Sequence, residues 1–201
     1  MVILFLLLSA GEVNQDVPLW KKLSYSVGYS GGICYRGEDL LSSPTTLYDL
    51  IGILACYVYL LHSIELSAIY PFGDGKGIEV GVGYGWAKVR KHEYVSYHFD
   101  LFSLYFGIRK NRHLFKVSGI LSKSIKEAVG DTIQYFRGKG MGVKVCYVYH
   151  LHRFFSVELT GGSIGYRWYQ EDLEYNIKLS LWGVGVCIGY TFNLPGGVRW
   201  Y

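Results

Sequence analysis

No apolar run in this 201-residue chain reaches the ~18 residues of a spanning helix, which excludes a helical membrane protein. Charge is also thin. The net +4 is spread along the chain without a dense basic block, so nucleic acid is not an expected partner. The four cysteines, Cys34, Cys56, Cys146 and Cys187, form no C-x-x-C pair and no metal-like spacing. All four sit in apolar strand-like runs and read as small buried hydrophobes, and sequence alone pairs none of them. Neither a metal nor a cofactor is expected. Proline is scarce as well, with only four residues.

What the chain has instead is tyrosine (19), glycine (26) and a hydrophobic half. Tyr, Phe, Val and Ile favour strands, so the protein should be mostly β. The stretch GIEVGVGYGW, residues 77 to 86, shows the pattern best. Ile78, Val80, Val82, Tyr84 and Trp86 alternate with Glu79, Gly81, Gly83 and Gly85. Period two is the mark of a strand. The polar face, however, carries glycine rather than the Lys, Glu and Thr of a solvated sheet.

The same alternation recurs along the chain. Tyr25, Val27, Tyr29 and Ile33 oppose Ser24, Ser26, Gly28, Ser30 and Cys34. Phe102, Leu104, Phe106 and Ile108 oppose Ser103, Tyr105, Gly107 and Arg109. Trp182 to Phe192, 11 residues, sets Trp182, Val184, Val186, Ile188, Tyr190 and Phe192 against Gly183, Gly185, Cys187, Gly189 and Thr191. That length fits the ~9–11 residues a tilted strand needs to cross a bilayer. Greasy residues outward and small or polar ones inward is the inversion of a transmembrane β-barrel, whose narrow interior has little room for large side chains. Aromatics near the strand ends, among them Tyr25, Tyr35, Trp86, Tyr147, Trp168, Trp182 and Tyr190, would form interfacial girdles.

Connections should alternate in length. Residues 71–77, 110–113 and 150–153 read as turns; 126–138 and 169–175 read as loops, and 91–96 as a polar connection. The repeat CYVYLLH (56–62) and CYVYHLH (146–152) complicates the count. A turn at residues 61–63 would give nine strands, whereas a bacterial single-chain barrel has an even number. Reading 52–70 as one long strand gives a closed antiparallel up-and-down barrel of eight strands over residues 20–192; a missed strand would give ten. The leader MVILFLLLSAG (1–11) has the apolar core and small-residue cleavage zone of a signal peptide, though no basic n-region precedes it. Residues 193–201 form a tail.

With these strands and a final strand ending GYTFNL, the sequence resembles the small outer-membrane β-barrel proteins of Gram-negative bacteria, the OmpA/OmpX-like group. The resemblance covers roughly residues 23 to 192. In that group the last aromatic residue usually ends the chain, whereas here PGGVRWY follows. The resemblance implies a monomer in the outer membrane, in contact with its lipid and lipopolysaccharide, with a filled lumen and outward loops available to an extracellular ligand. Members act as anchors, adhesins or lipid-modifying enzymes.

The inward faces collect Glu65, Glu79 and Glu158 with Arg109, Lys116 and Lys144. Three acids and three bases in one narrow lumen predict a mutually neutralising structural ion network, because unpaired buried charge is costly. No catalytic residue is assigned. His62-Ser63 with Glu65 invites comparison with the outer-membrane lipid A deacylases, but adjacent strand residues point to opposite faces and the His-x-Ser-Asn pattern is absent. His150 and His152 share a strand face at i, i+2 but lack a third metal ligand. GVGYG (81–85) echoes a potassium filter by coincidence, since nothing here builds one. The expected function is therefore an integral outer-membrane barrel with a structural or surface-interaction role. A lipid-modifying enzyme, or a soluble lipocalin-like ligand-binding barrel, is the alternative.

Overall fold

In the computed structural model the described residues are 22–35, 58–73, 75–92, 95–129, 132–170 and 173–193. Their strands are β1 (Ser24–Tyr35), β2 (Val58–Gly73), β3 (Lys76–His92), β4 (Val95–Lys110), β5 (His113–Val129), β6 (Thr132–His152), β7 (Phe155–Gln170), β8 (Leu173–Ser180) and β9 (Trp182–Asn193). Each strand pairs antiparallel with its neighbours. β1 pairs with β9, β9 with β7 and β7 with β6, which closes the sheet on itself.

Nine segments make eight wall strands. β8 and β9 are two halves of one interrupted strand, both paired with β7 on the same edge. Leu181 marks the break; it turns fully into the interior while its N–H donates to the Gly162 carbonyl at 3.0 Å. Gly162 has φ 148°, and a β-carbon there would sit 2.1 Å from the Val143 carbonyl oxygen, so only glycine fits beside the break. The first copy of the repeat does not turn at 61–63: Leu61 pairs with Gly32 and Ser63 with Ser30 within an unbroken β2. The expected eight-strand closed antiparallel barrel is the one observed.

Connections at one end are tight, with Asn111 (φ 52°) donating its N–H to the Gly75 carbonyl at 2.6 Å. At the other end the strands run on further than their composition suggested. Residues 126–129 and 132–138, within the segment expected as a loop, are strand: Lys126 pairs with Tyr135 and Val129 with Thr132. Likewise Tyr169 pairs with Glu174, and His92 with Val95, inside segments 169–175 and 91–96. Polarity was misleading there because strands that outrun an apolar belt face water on their outer side. At the tight end the 150–153 turn is displaced, since His150 and His152 still belong to β6. The leader 1–11, most of the tail 193–201, residues 37–47 and Cys56 lie outside the described residues.

The wall is inverted relative to a soluble protein. Val82, Leu104, Met141, Val184 and Ile188 are more than half exposed on the outside. Glu79, Arg109, Lys116, Lys144 and Glu158 are buried inside. Trp86, Tyr84, Phe102 and Trp182 stand toward the loop side of this outer belt; Tyr147, Phe154, Tyr190 and Phe192 stand toward the tight-turn side. Phe154 stacks on Tyr190 at 5.5 Å.

Candidate functional site

The interior is stacked in two layers. On the tight-turn side lies a charge network contributed by six of the strands. Period two directs Glu65 of β2, Glu79 of β3, Arg109 of β4, Lys116 of β5, Lys144 of β6 and Glu158 of β7 into the lumen. Arg109 donates from Nε and Nη2 to Glu79 Oε2 at 3.2 and 2.7 Å. Ser67 Oγ and Tyr105 OH donate to the other oxygen, Oε1, at 2.9 and 3.1 Å. Both carboxylate oxygens of Glu79 are therefore satisfied, as a group 3% exposed requires.

The second part is a four-membered ring of charge. Lys116 Nζ donates to Glu65 Oε2 at 2.8 Å and lies 3.7 Å from Glu158 Oε2. Lys144 Nζ reaches the other oxygens of the same two acids, at 3.6 Å for Glu158 and 3.9 Å for Glu65. Each lysine thus sees two carboxylates and each carboxylate two lysines. Cys187 Sγ donates to Glu158 Oε2 at 3.2 Å. Tyr105 links the two parts: its hydroxyl binds Glu79 while Lys116 Nζ stands 5.0 Å over its ring. All six charged residues singled out in the sequence fall within these contacts. Their formal charges cancel, three against three.

Above the network, toward the loop side, the lumen turns apolar. Tyr59, Ala87, Val89, Tyr97, Phe99, Leu101, Ile120, Ile164, Tyr166 and Leu181 form one buried cluster. Phe99 meets Tyr166 edge-on at 5.8 Å, and the Tyr59 hydroxyl donates to the Ser180 carbonyl. The sequence reading, which filled the inward faces with small and polar residues, missed this layer. The signal was present in β4, where Tyr97, Phe99 and Leu101 continue the inward parity of Tyr105. Between the network and the turn residues Arg153 and Phe154 there is a space of about 60 Å³, room for only a few waters.

The remaining candidates separate. His62 points outward, accepting or donating with Tyr29 OH at 2.6 Å and stacking on Trp86 at 5.5 Å. Ser63 points inward to Ser30 Oγ at 2.6 Å, and Glu65 is held by Lys116, so the three do not converge. His150 lines the lumen space, whereas a register shift carries His152 out to Phe154, 5.6 Å away. The expected shared face of the two is thus broken by a bulge. Among the described residues no three His, Cys, Asp or Glu side chains gather as a metal site. Cys34, Cys146 and Cys187 are free thiols.

No protein-family model and no curated protein matches the chain. Among solved structures, it is similar to Neisserial surface protein A, NspA, with 14% identity and a TM-score of 0.42 over 82% of this chain and 96% of that one. It is also similar to Ail, the attachment invasion locus protein of Yersinia pestis, with 14% identity and a TM-score of 0.37 over 84% and 97%.

Proposed function

We propose that this chain is an integral outer-membrane β-barrel with a structural or surface-interaction role, its lumen closed by the ion network and the apolar layer above it. One observation carries the reading: a closed sheet with its charges inside and a continuous apolar belt outside. In water such a belt would be an aggregation surface, whereas in lipid it is the stable arrangement. Closure pairs the backbone groups that lipid cannot solvate. In this reading the tight turns face the periplasm and the loop-side ends, including the β5–β6 hairpin within 126–138, face outward toward an extracellular ligand. The barrel works as a monomer among outer-membrane lipid and lipopolysaccharide, and the network keeps it rigid rather than opening a pore.

The alternatives find less support. A lipocalin-like barrel would turn its apolar face inward around a ligand. A lipid-modifying enzyme needs a nucleophile within reach of a base, and His62 and Ser63 stand on opposite sides of the wall. The test is membrane fractionation followed by SDS gel mobility with and without boiling. The expected outcome is a heat-dependent shift confined to the outer-membrane fraction. A freely soluble chain with unchanged mobility would overturn the reading.

A further inference from the structure

Among the described residues Cys34 and Cys146 are fully buried, whereas Cys187 is half-buried and lines the space of about 60 Å³ beneath the tight turns. His150 lines the same space. Register sets the two there. His150 of β6 pairs with Ser156 of β7, and Ser156 pairs with Cys187 of β9, so the three form one cross-strand row. Adjacent strands lie about 4.8 Å apart, which puts roughly 10 Å of wall between the two backbones. In a narrow barrel that wall curves, and side chains facing in along one row converge. A sulfur–metal–nitrogen bridge spans roughly 4 Å at the usual bond lengths to a thiolate and an imidazole, and the two side chains cover the rest.

The donors narrow the kind of ion. Zinc takes four ligands and calcium six or more oxygens, and among the described residues no three His, Cys, Asp or Glu side chains gather. One thiolate and one imidazole suffice for soft ions that bind two ligands in line, copper(I) and silver(I). Charge narrows it further. The three acids and three bases of the lumen balance, so a divalent ion replacing one thiol proton would leave a buried positive charge without its counterpart. A monovalent ion in place of that proton leaves the balance unchanged. The proton concerned is the one that Cys187 Sγ donates to Glu158 Oε2 at 3.2 Å. After the exchange Glu158 faces the metal cation instead, and keeps Lys116 and Lys144 at 3.7 and 3.6 Å.

We propose that Cys187 and His150 bind one soft monovalent metal ion, copper(I) or its analogue silver(I), at the tight-turn end of the lumen. Binding is an exchange without change of oxidation state. The Cys187 S–H bond breaks, a sulfur–metal bond forms, His150 supplies a ring-nitrogen lone pair, and the proton leaves past the exposed Arg153 at the mouth of the space. The site depends on closure of the barrel and not on what surrounds it.

The test is silver(I) uptake by the refolded full chain in chloride-free detergent buffer, read by equilibrium dialysis against methionine as competitor. Cys56→Ser, which removes the thiol outside the described residues, should hold one silver ion per chain. Adding Cys187→Ser should abolish uptake, whereas adding Cys146→Ser should leave it unchanged. Adding His150→Gln should weaken it by roughly 100-fold or more, since even the outer partners of a metal site are worth about 10–100-fold. In the unmutated chain, nitrogen-15 spectra of the histidines should show one ring nitrogen shifted by silver, and that signal should be missing from His150→Gln. No uptake by Cys56→Ser, full uptake after Cys187→Ser, or equal affinity with and without His150 would overturn the site. Boiled and unboiled gels of the same samples check closure. A heat-shifted barrel that takes no silver sinks this inference alone, and a chain with no heat shift sinks the barrel reading with it.

Discussion

The ring of Tyr105 occupies the space that a side chain on Gly81 would need. A β-carbon at Gly81 would lie 2.4 Å from Tyr105 Cζ and 2.6 Å from the Leu66 carbonyl oxygen. The empty face of GIEVGVGYGW is thus filled at Gly81 by its direct partner on the neighbouring strand β4, and the tyrosine placed there holds Glu79. Gly81→Val should therefore destabilise by about 1–3 kcal/mol through overpacking. Unfolding by urea from lipid vesicles measures this, and a midpoint equal to wild type would show that Tyr105 has room to move.

Glu79 and Arg109 form the tightest ion pair of the lumen. Glu79→Leu leaves a buried guanidinium without its carboxylate and should cost about 3–5 kcal/mol, as breaking a buried pair does. Glu79→Leu combined with Arg109→Leu should recover most of that loss. A double-mutant cycle reads the coupling, and simple additivity of the two single losses would count against it.

Leu104 is 63% exposed in the middle of the outer belt. If lipid covers it, Leu104→Arg should cost about 2–4 kcal/mol, the penalty for a cation near the bilayer midplane. Lys88→Gln, above the belt, should stay within about 0.5 kcal/mol. Equal effects at the two positions would mean that the belt meets water.

His98 lies outward above the belt, directly between Lys88 and Lys126 on the adjacent strands. Partial burial, then the charges of Lys88 and Lys126, push its pKa below the usual 6.5, with Asp100 opposing them. A histidine with a lowered folded pKa resists protonation in the native state. Stability should therefore begin to fall as pH drops through about 6.5 and finish falling below the folded pKa. Following the imidazole by NMR titration should give a midpoint below 6.5 that rises in Lys88→Gln. A midpoint unmoved by that substitution would remove Lys88 as a cause.

Period two fixed much of this protein in advance. Because strand side chains alternate, the sequence by itself decided which residues face in and which face out within each uninterrupted stretch of strand. It thereby assembled the list Glu65, Glu79, Arg109, Lys116, Lys144 and Glu158. Alternation carries no information about register between distant strands. Only the closed sheet decided that Glu79 meets Arg109 while Lys116 and Lys144 share Glu65 and Glu158. Nor could polarity alone show that residues 126–129 and 132–138 remain paired, because backbone hydrogen bonds hold strands together whichever solvent their side chains meet. The bulge that separates His150 from His152 and the break at Leu181 are likewise tertiary. Each adds or removes one residue from the ladder, and closing eight tilted strands into one barrel determines where those residues go.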